Sequence, residues 1–144
     1  MMQLQSSPFQ SRRHLAMAYT QVGVLTGVEG ASRHRLVALL FEGYMEALTR
    51  ARGAYANGQL ESKGKLIGKA ARIIEEGLKA ALNLKDGGTL AQDLHDLYAY
   101  VTVRLTLANV RNDMSMLDEC QRLIAPLQEA WADIRPQVEE GALQ

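Results

Sequence analysis

Apolar residues recur at spacings of three and four through four stretches of this chain, the period of amphipathic helices. In the first, Leu36, Leu39, Leu40, Gly43, Tyr44, Ala47, Leu48, Ala51 and Tyr55 keep one stripe, with Ser32 as its N-cap and Asn57-Gly58 as its stop. The second starts near Leu60 and uses Leu66, Ile67, Ala70, Ile73, Ile74, Leu78, Ala81 and Leu82, ending around Asn83. Gly64, Gly68 and Gly77 interrupt it at about 1 kcal/mol each relative to alanine. Gly77 lies within the stripe, so a close helix contact accounts for it. A turn at Leu84-Lys85-Asp86-Gly87-Gly88 follows, and Thr89 is placed to cap the third helix. Asn112-Asp113 breaks that helix, with Asp113 as N-cap of a fourth that carries Leu117, Cys120, Ile124, Leu127, Trp131 and Ile134. Pro126 removes the bond to the Arg122 carbonyl and predicts a kink there, and Pro136 ends the helix.

No strand-like alternation and no internal repeat occurs. Four helices of roughly 20 residues with short connections predict an all-α, antiparallel up-and-down four-helix bundle with a short N-terminal arm or helix. The arm covers residues 1–31, the bundle 32–135 and a C-terminal tail 136–144. The first residues, to about His14, are polar and expected to lack fixed structure. Beyond them Tyr19, Val22 and Leu25 share a helical face, but Gly23, Gly27 and Gly30 interrupt it. The arm is therefore expected to dock loosely on the main body.

The third helix is the unusual one. One stripe, Leu90, Leu94, Leu97, Val101, Leu105 and Ala108, suits packing on the protein's own core. A second, Tyr100, Val103, Leu107 and Val110, is centred roughly 130° away at helical pitch. Asp93, Arg104 and Arg111 run between the two. A helix buried on one side needs one stripe. The second is either more core, in a central helix, or a groove for an amphipathic segment of another chain, and periodicity does not separate these.

Charge and chemistry narrow the function by exclusion. In 144 residues, 16 basic and 16 acidic side chains cancel, so no bulk charge points to nucleic acid or an anionic membrane. The cancellation hides a division: residues 1–85 carry an excess of six basic groups and residues 86–144 an equal acidic excess. Internal complementarity and a solvated mixed surface both fit that split. The single cysteine, Cys120, falls on an apolar stripe and forms no internal disulfide, in keeping with a reducing, cytoplasmic setting. No run is long and apolar enough for membrane insertion, and the start has no secretory pattern. His14, His34 and His95 lack a glutamate three residues earlier, so no di-iron site is expected, and no metal or cofactor is implied. Neither His34 nor His95 resembles the histidine phosphotransfer pattern, and His95 falls on the polar arc of its helix, as a solvated residue would. Gly87-Gly88 lacks the lysine and hydroxyl of a phosphate loop. Arg12-Arg13 and Arg33-His34-Arg35 are too short and too poor in aromatics to indicate nucleic acid. No catalytic set can be nominated. What remains is a binding protein rather than an enzyme.

Several stretches resemble one family. Ala18-Tyr19 with Val22, Ala31-Ser32 with Leu36, and Leu40-Phe41-Glu42-Gly43 open the match. Lys69-Ala70 with Ile73-Ile74 and Gly77-Leu78 continue it. The most distinctive block is Gly87-Gly88, Leu94, Leu97-Tyr98-Ala99-Tyr100, Arg104-Leu105, Ala108-Asn109 and Asp113, and Ala130-Trp131 closes it. In these residues the chain resembles the bacterial flagellin export chaperones of the FliS type. Two positions depart from the pattern: Arg33 stands where the family has proline, and Pro126 is foreign to its fourth helix. The resemblance implies a cytoplasmic export chaperone that binds the disordered C-terminal segment of flagellin, prevents its premature polymerisation and assists its delivery to a component of the flagellar export gate. It also implies that the arm packs on the bundle and takes part in partner binding. The residues it nominates for flagellin are Tyr19, Val22, Leu25, Tyr100, Val103, Leu107, Asn109 and Val110. Asn109, at the border of the first stripe, is expected to bond a neighbouring backbone group or the partner. Because such a chaperone needs an apolar surface, the resemblance favours the groove. The alternative is a non-catalytic bundle that self-associates through the second stripe, at the least as a weak homodimer, in a structural or regulatory role.

Overall fold

The computed structural model describes residues 14–19 and 32–134. Residues 14–18 form one helical turn. Four long elements follow: α1 (Arg33–Ala56), α2 (Leu60–Arg72) running directly into a π-helical stretch (Ile73–Lys79), α3 (Gly88–Arg111) and α4 (Met114–Asp133). No strand occurs among the described residues.

Local chemistry sets most of the boundaries. Ser32 is extended, and its Oγ accepts the Arg35 amide at 3.0 Å, which starts α1 despite the missing proline. At the other end Gly58 takes a φ of +73°, a conformation that costs glycine little. Asn112 ends α3 in the left-handed region, and Asp113 starts α4 by accepting the amides of Ser115 and Met116. Thr89 does not cap α3. The helix opens two residues earlier, from Gly87 as N-cap, with Gly88 at a φ of +69°, so Thr89 already lies in the first turn.

Specific contacts join the helices. Leu40 and Gly43 of α1 meet Gly77 and Ile73 of α2 and its extension. A Cβ on Gly77 would lie 2.8 Å from Leu40 Cδ2, so the expected close contact is real. Lys63 of α2 reaches Asn109 of α3, Arg104 of α3 reaches Glu119 of α4, and Tyr44 of α1 donates to the Cys120 carbonyl of α4 at 2.9 Å. α1 packs on α2 and α4, and α3 also packs on α2 and α4. The core between them holds Phe41, Leu48, Ile67, Ile74, Leu78, Leu105, Leu117 and Ile124 among others. In α1 the buried line is centred on Val37, Phe41 and Tyr44, so Leu36 and Leu40 flank it and Leu39 and Tyr55 face solvent. Cys120 is core as expected, and burial pushes its thiol up to about 12.

Two features, the π stretch and His95, differ from the sequence expectation, and the helix at Pro126 stays unbroken. The second helix widens to π geometry at Ile73–Lys79. α4 stays helical through Pro126, which is exposed, so water can take up the Arg122 carbonyl that the proline leaves free. His95 is half-buried, and its Nδ1, screened from solvent, lies 3.5 Å from Asp96 Oδ1 and makes no hydrogen bond among the described residues. Pro136 lies outside the described residues. Of the charge division, one direct ion pair joins the basic and acidic halves among the described residues: Arg52 to Asp118 at 3.3 Å. A pair this exposed contributes little.

The arm is anchored firmly where it is described. Leu15, Ala18 and Tyr19 are buried, and Tyr19 sits edge-on to Trp131 with ring centroids 5.6 Å apart. Trp131 in turn stacks on His34, donates Nε1–H to the His34 carbonyl, and accepts His34 Nε2 at its own carbonyl, each at 2.9 Å. A carbonyl only accepts, so the hydrogen of that last bond resides on Nε2. The arm, the start of α1 and the end of α4 thus converge on one indole.

Candidate functional site

α3 buries one face and presents another. Its buried line is Ala91, Leu94, Tyr98, Val101, Leu105 and Ala108. The sequence stripe named four of these; Leu90 and Leu97 prove half-buried, while Ala91 and Tyr98 go fully inside. The second stripe is not core. Tyr100, Val103 and Val110 are 46%, 57% and 73% exposed, and Leu107 is half-buried. Their spacings of three, four and three keep them on one face, about 15 Å long at the rise of an α-helix.

Polar groups border that face on both sides. Toward α4, Tyr100 donates its hydroxyl to Glu119 Oε2 at 2.7 Å, and Arg104 Nε donates to Glu119 Oε1 at 2.9 Å. The Arg104 guanidinium also stands 5.9 Å over the Tyr100 ring. The hydrogen bond from Tyr100 and then that from Arg104 hold the Glu119 carboxyl below its ordinary range, and the same carboxylate raises both Tyr100 and Arg104. Toward α2, the Thr102 hydroxyl is 3.1 Å from Glu75, whose carboxyl is lowered chiefly by its bond to Lys79. The face is thus an exposed apolar strip bordered on both sides by paired polar groups.

Asn109 lies at the end of the strip, half-buried, and its Oδ1 accepts Lys63 Nζ at 2.7 Å. Its partner is thus a buried ammonium rather than the expected neighbouring backbone. Tyr19 is elsewhere: it meets α3 at Tyr98, on the side turned away from Tyr100. Val22 and Leu25 lie outside the described residues. The structure therefore brings together Tyr100, Val103, Leu107 and Val110, turns Asn109 of the same last turn toward Lys63 of α2, and sets Tyr19 apart from them. Sequence reasoning missed Glu119 and Lys63. Glu119 had a signal, since it and Arg104 sit at similar distances on either side of the Asn112-Asp113 turn. Lys63 had none, because a lysine on a helix reads as solvated. Among the described residues no group of His, Cys, Asp and Glu is placed to hold a metal.

The family described as "Flagellar protein FliS" matches residues 15–138, which include α1 to α4 and the whole of this face. The chain belongs to the FliS family. It is 43% identical over 119 residues to the flagellar secretion chaperone FliS of Salmonella typhimurium, covering 83% of this chain and 88% of that one. It is 45% identical over 116 residues to the flagellar secretion chaperone FliSB of Pseudomonas aeruginosa, at 81% and 91% coverage. The Escherichia coli flagellar secretion chaperone FliS is 39% identical over 116 residues, at 81% and 85% coverage. The resemblance drawn from the motifs is borne out, and with it a chaperone family in place of an enzyme.

Proposed function

We propose that this protein is a flagellar secretion chaperone whose α3 face, Tyr100, Val103, Leu107 and Val110 with Asn109 at its end, receives the C-terminal segment of flagellin. The observation that carries the reading is an exposed apolar strip with a polar rim in a member of the FliS family. A disordered segment that docks there as an amphipathic helix buries its own apolar side, which keeps it from pairing with other flagellin chains. The helices that support the strip form an antiparallel up-and-down four-helix bundle, and the complex forms in the cytoplasm before delivery to a component of the export gate. Among the described residues no helix is long and apolar enough to cross a membrane. Tyr19 would have to leave the core to touch the segment, so its part is to hold the arm in place. Val22 and Leu25, outside the described residues, stay partner-contact candidates on the strength of their spacing from Tyr19 in the sequence.

The test is calorimetric titration with a flagellin C-terminal peptide, paired with gel filtration. Saturable 1:1 binding with a negative heat-capacity change is expected, because apolar surface is buried and the segment orders. A homodimer that persists and takes up no peptide would instead establish the self-associating bundle.

A further inference from the structure

Lys63 is 4% exposed, and lysine is rarely buried this far unless all of its charge is answered. Here it is. Nζ donates to the Asn109 carbonyl at 3.0 Å, to Asn109 Oδ1 at 2.7 Å and to Asn112 Oδ1, which uses all three of its hydrogens. The acceptors have a common address: the last turn of α3 and its cap. A helix C-terminus leaves carbonyls without intrahelical partners and carries partial negative charge, so a buried cation from α2 completes it. Asn112 is the one described residue other than glycine with a positive φ, 51°, and its side chain is fastened by the same ammonium. Gly64 beside Lys63 packs along the Asn109 amide, where a Cβ would make an ordinary contact with Asn109 Oδ1 at 3.6 Å.

Val110 lies between the two asparagines that Lys63 grips. It is the most exposed large apolar residue of the strip, and Leu107 is the next one in from that end. A turn held at Asn109 and at Asn112 resists fraying and rotation between them, so Val110 is held in direction although it is 73% exposed. We propose that Lys63 is a positioning residue for the partner-binding face: it fixes the last turn of α3, and through it the presentation of Val110. This rests on the reading of that face as the flagellin surface.

A double-mutant cycle in flagellin-peptide affinity separates positioning from plain stabilisation. Lys63→Met keeps the apolar stem and removes the ammonium, and Val110→Ala shortens the strip at a position that contributes little to the core. Each single change is expected to weaken binding several-fold to roughly ten-fold, while the double variant binds no more weakly than the worse single, because contacts that act as a unit are non-additive. Amide exchange should also show loosening confined to residues 108–112 in Lys63→Met. Additive losses, or loosening spread over all four helices, would make Lys63 a stability residue and overturn the proposal. Unchanged affinity in Val110→Ala together with Val103→Glu would remove the underlying reading of the face, and the proposal with it. Should Lys63→Met fail to fold, Asn112→Gly takes its place in the cycle: glycine suits the positive φ, and one acceptor is removed.

Discussion

The Tyr19 hydroxyl lies 2.9 Å from the Leu78 carbonyl oxygen, 59 residues along the chain, and supplies what the helix there does not. The two amides that could reach that carbonyl from the next turn are both engaged elsewhere: Leu82 N–H donates to Lys79, and Asn83 N–H donates to Ala18 at 2.8 Å. Two consecutive arm residues therefore take the donor and the acceptor that the end of the second helix leaves over. The Tyr98 hydroxyl, also 2.9 Å from that of Tyr19, completes the chain, and burial raises both phenols well above their ordinary value. Tyr19→Phe keeps the ring and leaves a buried carbonyl unanswered. It should cost about 1–3 kcal/mol in urea unfolding, with faster exchange at the Asn83 amide.

The same contact makes Gly87 more demanding than Gly77. A Cβ on Gly87 would collide with the Asn83 carbonyl oxygen and come within 3.1 Å of Ala18 Cα, both backbone atoms. On Gly77 it would meet the side chain of Leu40, which can turn aside. Gly87→Ala is therefore expected to lose about 1–3 kcal/mol, as overpacking does, and to loosen the arm. Gly77→Ala should lose clearly less, since the higher helix propensity of alanine offsets part of the strain. Thermal unfolding of the two variants side by side checks the order.

Glu119 ties stability to pH. Its carboxyl is held below the ordinary value of 4.5, so its bonds to Tyr100 and Arg104 contribute in full above that value. The contribution is lost as pH falls through the lowered folded-state value. Glu119→Gln should thus have a lower melting temperature than the natural protein at pH 7, and the gap should close as the pH falls below 4.5 and through the lowered folded-state value. A gap independent of pH would show that the carboxylate charge is not what the clasp uses.

Much of this was legible because its causes are local. Ser32, Asn57-Gly58 and Asp113 start or stop helices through their own side chains or backbone freedom, so the reading placed those ends correctly. The second stripe on α3 was legible as a surplus: four apolar residues at helical spacing that one core could not use. What escaped depends on distant partners. Tyr98 reads as one aromatic among several until Tyr19 arrives to bond it, and Lys63 reads as solvated until α3 ends beside it. Thr89 looked like a cap by composition, but Gly87, packed against Ala18, decides where α3 opens. The π turn at Ile73–Lys79 leaves no mark in the periodicity at all. Loose docking, read from the arm's glycines, fails at Tyr19 because those glycines all come after it.

Position along α3 should decide whether a new charge harms folding or binding. Val103 is 57% exposed, so in Val103→Glu the carboxylate stays in water and the melting temperature should change little, as for most surface substitutions. Flagellin-peptide binding should nevertheless fall steeply, because the docked segment would have to cover an unpaired charge. Leu105 lies on the opposite side of the helix and is fully buried. Leu105→Glu places the same carboxylate in the core, where several kcal/mol of desolvation should unfold the protein before binding can be asked about. Circular dichroism melts and peptide titration on both variants give the comparison. Normal binding by Val103→Glu would remove this face from the flagellin surface. Lost binding at unchanged stability, two residues from a position where the same substitution unfolds the chain, would place the partner on the outward side of α3.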